Sequence, residues 1–208
     1  MPLPTSSVCL IADRFTDEAV QASVIQAAEA GIRWVQLRDH QAEDDVFARE
    51  ARRIVERLRE IDPNIVININ ARLVVAEELG LDFHTGRLGP AVGEARARLG
   101  DAVIGYSAHD AEEAVVARQE GADYITFSPI FPTASKPDAQ PAGLPALGHV
   151  VAVVRPLPVV ALGGIDAKNA ASCIEAGARA VAVIGSVLRQ PDIVEAVRNL
   201  LEATGSAG

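Results

Sequence analysis

Short apolar runs alternate with longer segments of helical periodicity along the whole chain. The runs are rich in Val, Ile and Leu, which is typical of parallel strands that are buried on both faces. The predicted strands are Val8–Asp13, Trp34–Arg38, Ile65–Asn70, Asp82–Gly86, Val103–Ser107, Tyr124–Phe131, Pro158–Gly164 and Ala180–Ser186. Between them, apolar residues at helical spacing, such as Phe47, Ile54 and Leu58, predict amphipathic helices. These repeated units predict one α/β domain over residues 1–208, a (β/α)8 TIM barrel.

A weak internal repeat supports this organisation, because four predicted helices end in a similar tripeptide. The four are Glu29–Gly31, Glu78–Gly80, Gln119–Gly121 and Glu175–Gly177. The final glycine suits the left-handed conformation that ends many helices. A doubly wound sheet, the alternative fold, normally has a glycine-rich turn after its first strand, but residues 14–16 include no glycine. The barrel is therefore preferred, and only residues 203–208 are expected to form a disordered tail.

The acidic composition of the chain limits the classes of partner that we expect it to bind. The formal net charge is −9 and the pI is about 4.9, so no nucleic-acid partner is expected. The chain has neither a run of roughly 18 apolar residues nor a basic N-terminal stretch before a long apolar one. We therefore expect a cytoplasmic protein with no membrane partner. Cys9 and Cys173 have no metal-ligand spacing and are expected to be reduced and buried.

Polar residues end or follow most of the predicted strands, where TIM barrels place their reactive groups. A polar side chain that is buried there without a partner costs about 1–3 kcal/mol, so each one calls for a partner or a ligand. The candidate site residues are Gln36, Arg38, His40, Asn70, Arg72, His84, Ser107, Thr133, Ser135, Lys136, Gly163, Gly164, Gly185 and Ser186.

Three late segments predict a phosphate site. Thr133, Ser135 and Lys136 offer two hydroxyls and an ammonium on the loop after the sixth strand. Gly163–Gly164 ends the seventh strand and lets backbone N–H groups approach a ligand, and Gly185–Ser186 leads into a helix N-terminus. Loops after strands seven and eight commonly bind phosphate in such barrels. Together the segments predict an anionic ligand without identifying the molecule.

The early strands carry basic and titratable side chains, whose roles the sequence defines less narrowly than those of the late segments. Gln36, Arg38 and His40 lie on one face of an extended strand. Arg38 suits a carboxylate or a phosphate, although a salt bridge to a neighbouring rim carboxylate is equally compatible. His40 can act as an acid or a base near neutral pH, or it can be a solvated rim residue. His84 interrupts a barrel strand, where a structural, hydrogen-bonded histidine is the main alternative to a catalytic one.

Several motifs resemble the family of thiamine-phosphate synthases and thiazole tautomerases, over nearly the whole chain. The most specific are Ser128–Lys136 and Pro158–Ile165, and the others are Val35–Arg38, Ile67–Arg72, Phe83–Gly86, Gly105–His109 and Gly121–Tyr124. The resemblance implies a thiazole-phosphate site at Thr133, Ser135, Gly163, Gly164, Gly185 and Ser186. It also implies that the pyrimidine pyrophosphate of the synthases contacts Gln36, Arg38, Asn70, Ser107 and Lys136.

Two departures remove the aspartates that hold Mg²⁺ in the synthases. Asn70–Arg72 reads Asn-Ala-Arg instead of Asn-Asp-Arg, and His84–Gly89 ends in glycine where the synthases have an acid. His40 also replaces a lysine. Mg²⁺ favours oxygen ligands, so no cofactor is expected unless residues such as Asp13 or Asp39 hold Mg²⁺ for a synthase reaction. Without the ion, synthase turnover is expected to be greatly reduced, because the departing pyrophosphate needs electrostatic stabilisation.

Three functions stay open. The retained phosphate site and the lost acids favour a tautomerase-like enzyme that moves a proton on a carboxylated thiazole phosphate without a metal. The tautomerases have a histidine at the position of Pro129, so His40 and His84 are the substitute acid–base candidates. Arg38 or Arg72 would receive the carboxylate. The alternatives are a Mg²⁺-dependent thiamine-phosphate synthase and a non-catalytic barrel that binds a thiamine precursor. The expected ligand is a phosphorylated thiazole. A homodimer is compatible with the sequence, which does not settle the oligomeric state.

Overall fold

Eight parallel strands close into one barrel, each paired with the next along the chain and the eighth with the first. The computed structural model describes residues 6–135 and 137–205. The strands are β1 (Val8–Asp13), β2 (Trp34–Arg38), β3 (Val66–Asn70), β4 (Asp82–Gly86), β5 (Ile104–Ala108), β6 (Tyr124–Phe127), β7 (Val159–Leu162) and β8 (Ala180–Val183). The fold confirms the predicted (β/α)8 barrel.

Helices follow the strands and surround the barrel. They are α1 (Glu18–Glu29), α2 (Asp44–Ile61), α3 (Leu73–Leu79), α4 (Val92–Leu99), α5 (Ala111–Gln119), α6 (Gly143–Val154), α7 (Ala170–Glu175), α8 (Gly185–Leu188) and α9 (Ile193–Ala203). Within the described part of the chain, none of them combines the length and the apolar character needed to cross a lipid bilayer. The four glycines predicted to end helices all have positive φ angles, from +59° at Gly80 to +119° at Gly31.

Two apolar cores hold the barrel together. The larger core lies between the strands and the helices, and it includes the apolar stripe predicted for α2. A smaller core fills the barrel interior, where the rings of Trp34 and Tyr124 meet edge to face with their centroids 5.2 Å apart. Cys9 belongs to the inner core and Cys173 to the outer one, and both are free and buried, as expected.

The strand ends differ from the predictions mainly at the late strands. β6, β7 and β8 end earlier than predicted, whereas the other strands agree to within one residue. Pro129 has no N–H to donate to a strand ladder. Gly163 and Gly164 have φ angles of +100° and +66°, which lie outside the β region. The residues predicted as strand ends are therefore free to form loops above the barrel.

The predicted disordered tail is wrong at its beginning. Helix α9 extends to Ala203, and the hydroxyl of Thr204 accepts a hydrogen bond from the Ser7 hydroxyl at 2.7 Å. The chain is therefore tied to the residue that precedes β1 as far as Thr204. Residues 206–208 lie outside the described residues.

The inner core leaves room for only a glycine at one position of β5. A Cβ on Gly105 would lie 2.1 Å from Cζ of Tyr124, which is fully buried. We expect Gly105→Ala to lower the free energy of unfolding by about 3 kcal/mol, because the buried ring must move to admit the methyl group. Chemical denaturation measures this change.

Gly93→Ala in α4 is the matched control for that substitution. A Cβ there meets no atom within 4 Å, and alanine is favoured over glycine in a helix, so the control should be stabilised slightly. Equal free energies of unfolding for the two variants would contradict the tight inner core.

Candidate active site

The C-terminal ends of the strands surround a cavity of about 840 Å³. The predicted site residues that line it are Gln36, Arg38, His40, Asn70, His84, Ser107, Thr133, Ser135, Gly163, Gly164, Gly185 and Ser186. Arg72 does not line the cavity, and Lys136 lies outside the described residues. The structure thus brings residues that are far apart in the sequence to one place.

The loops that follow β6 and β7 meet tightly at one end of the cavity. The backbone N–H of Phe131 donates to the carbonyl oxygen of Gly163 at 3.0 Å. Gly164 has a φ of +66°, and a Cβ there would lie 2.4 Å from the carbonyl oxygen of Pro132. Only glycine combines that conformation with such a close approach. The same approach brings the backbone of the glycine pair and the hydroxyl of Thr133 to one surface of the cavity.

Ser186 adds a hydroxyl that is free to bind a ligand. The residue lies in the first turn of α8, and its Oγ is shielded from solvent without a hydrogen-bond partner among the described residues. A buried hydroxyl without a partner costs about 1–3 kcal/mol. Ser186 lines the cavity, so an anion bound there would remove this cost. The orphaned hydroxyl supports the predicted phosphate site.

A row of hydrogen-bonded side chains, here called the inner row, runs from the barrel interior to the cavity. Trp34 Nε1 donates to Asn68 Oδ1 at 3.2 Å, and Asn68 Nδ2 donates to the Tyr124 hydroxyl at 2.9 Å. That hydroxyl lies 2.9 Å from Nδ1 of His84, whose Nε2 lies 2.8 Å from Oγ of Ser107. All but Ser107 are buried, and Ser107 lines the cavity. The row connects the core to the site.

His84 is neutral in the inner row. Burial lowers the pKa of His84 to about 3, and the charge of Arg38 acts in the same direction. Both ring nitrogens have a partner within hydrogen-bond distance. The geometry therefore favours the structural alternative for His84 over proton transfer near neutral pH.

Arg38 forms the salt bridge that the sequence left open, and it also lines the cavity. Its Nε forms a salt bridge with Oδ1 of Asp13 at 2.8 Å, across the β1–β2 pair, and its side chain also lines the cavity. A guanidinium has several N–H donors, so a bond to Asp13 leaves donors for an anion. His40 lies nearby and is exposed. Partial burial of its ring and the charge of Arg38 lower the pKa of His40 below its ordinary value.

The prediction that Arg72 binds a substrate carboxylate is wrong. Its guanidinium donates to the carbonyl oxygens of Asp39 and Ala42 at 3.2 and 2.6 Å, and also to the carboxylate of Asp44. Its Cζ lies 4.8 Å from the centroid of the Phe47 ring. The loop between β2 and α2 thus supplies the acceptors and the ring that hold this side chain away from the cavity.

Further basic side chains line the cavity beyond the predicted set. They are Arg87 after β4, His109 after β5 and Arg189 after α8. The first two directly follow strand ends, which is the same signal that identified the other candidates. Arg38 and Arg87, together with the imidazoles of His40 and His109, line the part of the cavity that follows β2, β4 and β5, which we call the cationic end.

A (β/α)8 barrel with a polar-lined cavity across its C-terminal end is the class of protein that the fold and the site define. Residues 8–187 match the family model described as thiamine monophosphate synthase. The chain is 42% identical over 185 residues to the thiamine-phosphate synthase of Methanoregula boonei, which covers 87% of this chain and 84% of that protein. It is 34% identical over 204 residues to the thiamine-phosphate synthase of Methylococcus capsulatus, covering 96% and 90%.

A solved structure agrees with these relatives. The thiamine phosphate pyrophosphorylase of Pyrococcus furiosus superposes with a TM-score of 0.83 at 29% identity, covering 97% of this chain and 96% of that one. The chain belongs to the thiamine-phosphate synthase family.

The cavity does not suit Mg²⁺, the ion that the family resemblance implies. Among the described residues, no group of three or more His, Cys, Asp or Glu side chains could hold a metal. Ala71 lines the cavity and offers no side-chain ligand. An acid cannot simply replace Gly89, because a Cβ there would lie 2.4 Å from Oγ1 of Thr85, which is buried and hydrogen-bonded.

The two acids considered as unusual metal ligands are engaged elsewhere. Asp13 is paired with Arg38. Oδ2 of Asp39 accepts from the Thr16 hydroxyl at 2.5 Å, and its Oδ1 accepts from two backbone N–H groups of the following loop. Although burial opposes it, these hydrogen bonds hold the pKa of Asp39 below its ordinary value. Neither acid lines the cavity. Asp166 does, but it is a single carboxylate whose Oδ1 accepts from the backbone N–H of Lys168 at 2.8 Å, so the described residues do not fit the ion.

The neutral state of His84 predicts a pH dependence of stability. In the unfolded chain an imidazole titrates near a pKa of about 6.5, whereas His84 in the fold has a pKa of about 3. The unfolded state therefore binds more protons below about pH 6.5, and stability falls as the pH falls. Between about pH 7 and about pH 5, this residue should cost about 2 kcal/mol of unfolding free energy.

His84→Gln tests this expectation, because glutamine takes up no proton. The loss of unfolding free energy between the two pH values should be smaller in the variant by about 2 kcal/mol. His149→Gln, at an exposed position, is the control and should follow the parent protein. Parallel profiles for His84→Gln and the parent would show that His84 is not held neutral.

Proposed function

We propose that this chain joins a pyrimidine pyrophosphate to a thiazole phosphate to form thiamine phosphate. A C–N bond forms between the two rings while the C–O bond to the pyrophosphate breaks, and the bonding pair leaves with the pyrophosphate oxygen. The observation that carries this proposal is a single cavity of about 840 Å³ with anion-binding groups at both ends. Pockets of roughly 300–1,000 Å³ hold whole ligands, so both substrates have room. Relatives with 42% and 34% identity are named for this synthesis.

The end formed by the loops after β6, β7 and β8 is assigned to the thiazole phosphate. Thr133 and Ser135 offer hydroxyls there, Gly164 offers close approach of the backbone, and Ser186 offers its orphaned hydroxyl. Arg189, which follows α8 and lies close to Gly185, adds a guanidinium that suits the phosphate dianion. This end holds the thiazole, whose ring nitrogen then faces the middle of the cavity.

The cationic end is assigned to the pyrophosphate. Arg38 and Arg87 offer guanidinium donors, which bind phosphoryl oxygens through strong charge-assisted hydrogen bonds. His40 and His109 add further donors when protonated, and Ser107 adds a hydroxyl. Positive charge at the place where negative charge develops lowers the barrier to departure. We therefore propose that protein cations stabilise the leaving pyrophosphate and that the enzyme needs no metal cofactor.

Thiazole tautomerisation is the second candidate, and the lack of a cluster of metal-binding side chains among the described residues favours it. Ala71 and Gly89 line the cavity where the resemblance implies acids, while the thiazole-phosphate end is complete. His40 is then the proton-transferring candidate, since it is exposed and lines the cavity, whereas His84 is buried. A carboxylated thiazole phosphate supplies the substrate for this assay.

The synthase proposal predicts metal-independent product formation. With thiazole phosphate and pyrimidine pyrophosphate as substrates, the rate of thiamine phosphate formation in EDTA should lie within about twofold of the rate in Mg²⁺, because the protein supplies the positive charge. Liquid chromatography of the product measures both rates. A rate that depends strictly on Mg²⁺ would contradict the metal-free arrangement.

The same mixture distinguishes the remaining functions. No thiamine phosphate under either condition, together with aromatisation of the carboxylated thiazole phosphate, would replace the synthase with the tautomerase. Binding of thiazole phosphate without turnover of either kind would leave a non-catalytic barrel.

Ser186→Ala should weaken the thiazole-phosphate end selectively. Removal of the hydroxyl should raise KM for thiazole phosphate about tenfold, the effect of one lost hydrogen bond to a charged group, while KM for the pyrimidine pyrophosphate stays unchanged. Ser23→Ala in α1, whose hydroxyl donates to the carbonyl oxygen of Ala19 at 2.9 Å in the same helix, is the control. An equal rise of both KM values would place Ser186 outside the thiazole-phosphate end.

A further inference from the structure

The inner row has only one consistent arrangement of hydrogen atoms at its buried end. An indole N–H is a donor only, so the amide oxygen of Asn68 faces Trp34 and its NH₂ group faces Tyr124. The Tyr124 hydroxyl therefore accepts from Asn68. Its own hydrogen then points to Nδ1 of His84, which lies 2.9 Å away. The direction of every bond up to the imidazole follows from the indole.

The tautomer of His84 sets the direction of the next hydrogen bond, which leads to the cavity. A neutral imidazole has one N–H and one acceptor nitrogen. Since Nδ1 accepts from Tyr124, the hydrogen lies on Nε2, which donates to Oγ of Ser107 at 2.8 Å, the nearer of two hydroxyls; Oγ1 of Thr126 lies 3.4 Å away. Burial raises the pKa of Tyr124 and lowers that of His84, so both residues keep the same number of protons through the neutral pH range.

Ser107 is the point where the inner row reaches the ligand space. Because its Oγ accepts from His84, its own hydrogen is directed away from the row. Oγ1 of Thr126 lies 3.1 Å from Ser107 Oγ and takes this hydrogen or donates its own. When Thr126 donates, Ser107 has its hydrogen free for a ligand in the cavity.

We propose that the inner row fixes His84 as a donor to Ser107, so that Ser107 acts as a hydrogen-bond donor to the ligand, with Tyr124 as the positioning residue. A serine with this fixed direction favours groups that only accept, such as the oxygens of a pyrophosphate, and disfavours ligand hydroxyls and amines, which must also donate. The direction of the hydrogen bonds in the inner row is inferred from the buried contacts alone. The identity of the anion as pyrophosphate rests on the proposed function.

The parent protein tests the direction without any substitution. In protein labelled with ¹⁵N-histidine, the signal of His84, assigned by its loss in His84→Gln, should show the hydrogen on Nε2 throughout the neutral pH range. A hydrogen on Nδ1, or an even mixture of the two tautomers, would overturn the proposal.

Tyr124→Phe keeps the ring in the inner core and removes only the hydroxyl. His84 then loses the group that selects its tautomer, so its signal should shift towards a mixture. The affinity for inorganic pyrophosphate, measured by calorimetry, should fall about tenfold. Tyr106→Phe, the same substitution on β5 outside the inner row, is the matched control and should bind as the parent does.

A double-variant cycle separates positioning from a merely structural role. If Tyr124 acts through Ser107, then Tyr124→Phe should change pyrophosphate affinity less than twofold in a Ser107→Ala background. Additive losses would show that the tyrosine only supports the barrel and would overturn the proposal. Failure of the parent to bind pyrophosphate would remove that ligand from Ser107. Failure of the parent to form thiamine phosphate would overturn the proposed function and leave the tautomer result standing.

Discussion

The close approach of the loops after β6 and β7 shapes one side of the cavity at the C-terminal end of the barrel. A Cβ at Gly163 would lie 2.8 Å from Pro129, and one at Gly164 would lie 2.4 Å from the carbonyl oxygen of Pro132. Both glycines also have positive φ angles. Any other residue would separate the loops, and Thr133 would no longer share a surface with the backbone after β7. The remaining parts of the site are arranged around this contact.

The cavity is lined by arginines although the protein is acidic overall. The protein has a formal charge of −9, yet the early strands bring Arg38 and Arg87 to the cavity, and the acids near them are engaged. Asp13 neutralises part of Arg38, and Asp39 is occupied by Thr16. Arg38, Arg87 and Arg189 bring positive charge to the cavity although the chain is acidic overall, which suits the two anionic groups of the proposed synthesis.

The sequence predicted the parts of the site that depend on local pattern. Apolar runs located the strands, and strand ends located the cavity, since all parallel strands of a barrel end on one side. Arg72 was misassigned because its partners come from a loop whose course no local pattern reveals. The inner row was missed for a related reason. Asn68 and Tyr124 are 56 residues apart and meet only across the closed barrel, and both occupy positions where an apolar residue would fit the strand pattern equally well.

The central claim is that one cavity holds both phosphorylated groups at opposite ends without a metal. A crystal structure of the protein with thiazole phosphate and inorganic pyrophosphate, grown in EDTA, tests it most directly. We expect the thiazole phosphate within hydrogen-bond distance of Ser186 Oγ and the backbone at Gly164, and the pyrophosphate against Arg38, Arg87 and Ser107. Both anions at the same end, or a pyrophosphate that binds only with a metal ion beside Ala71, would contradict it.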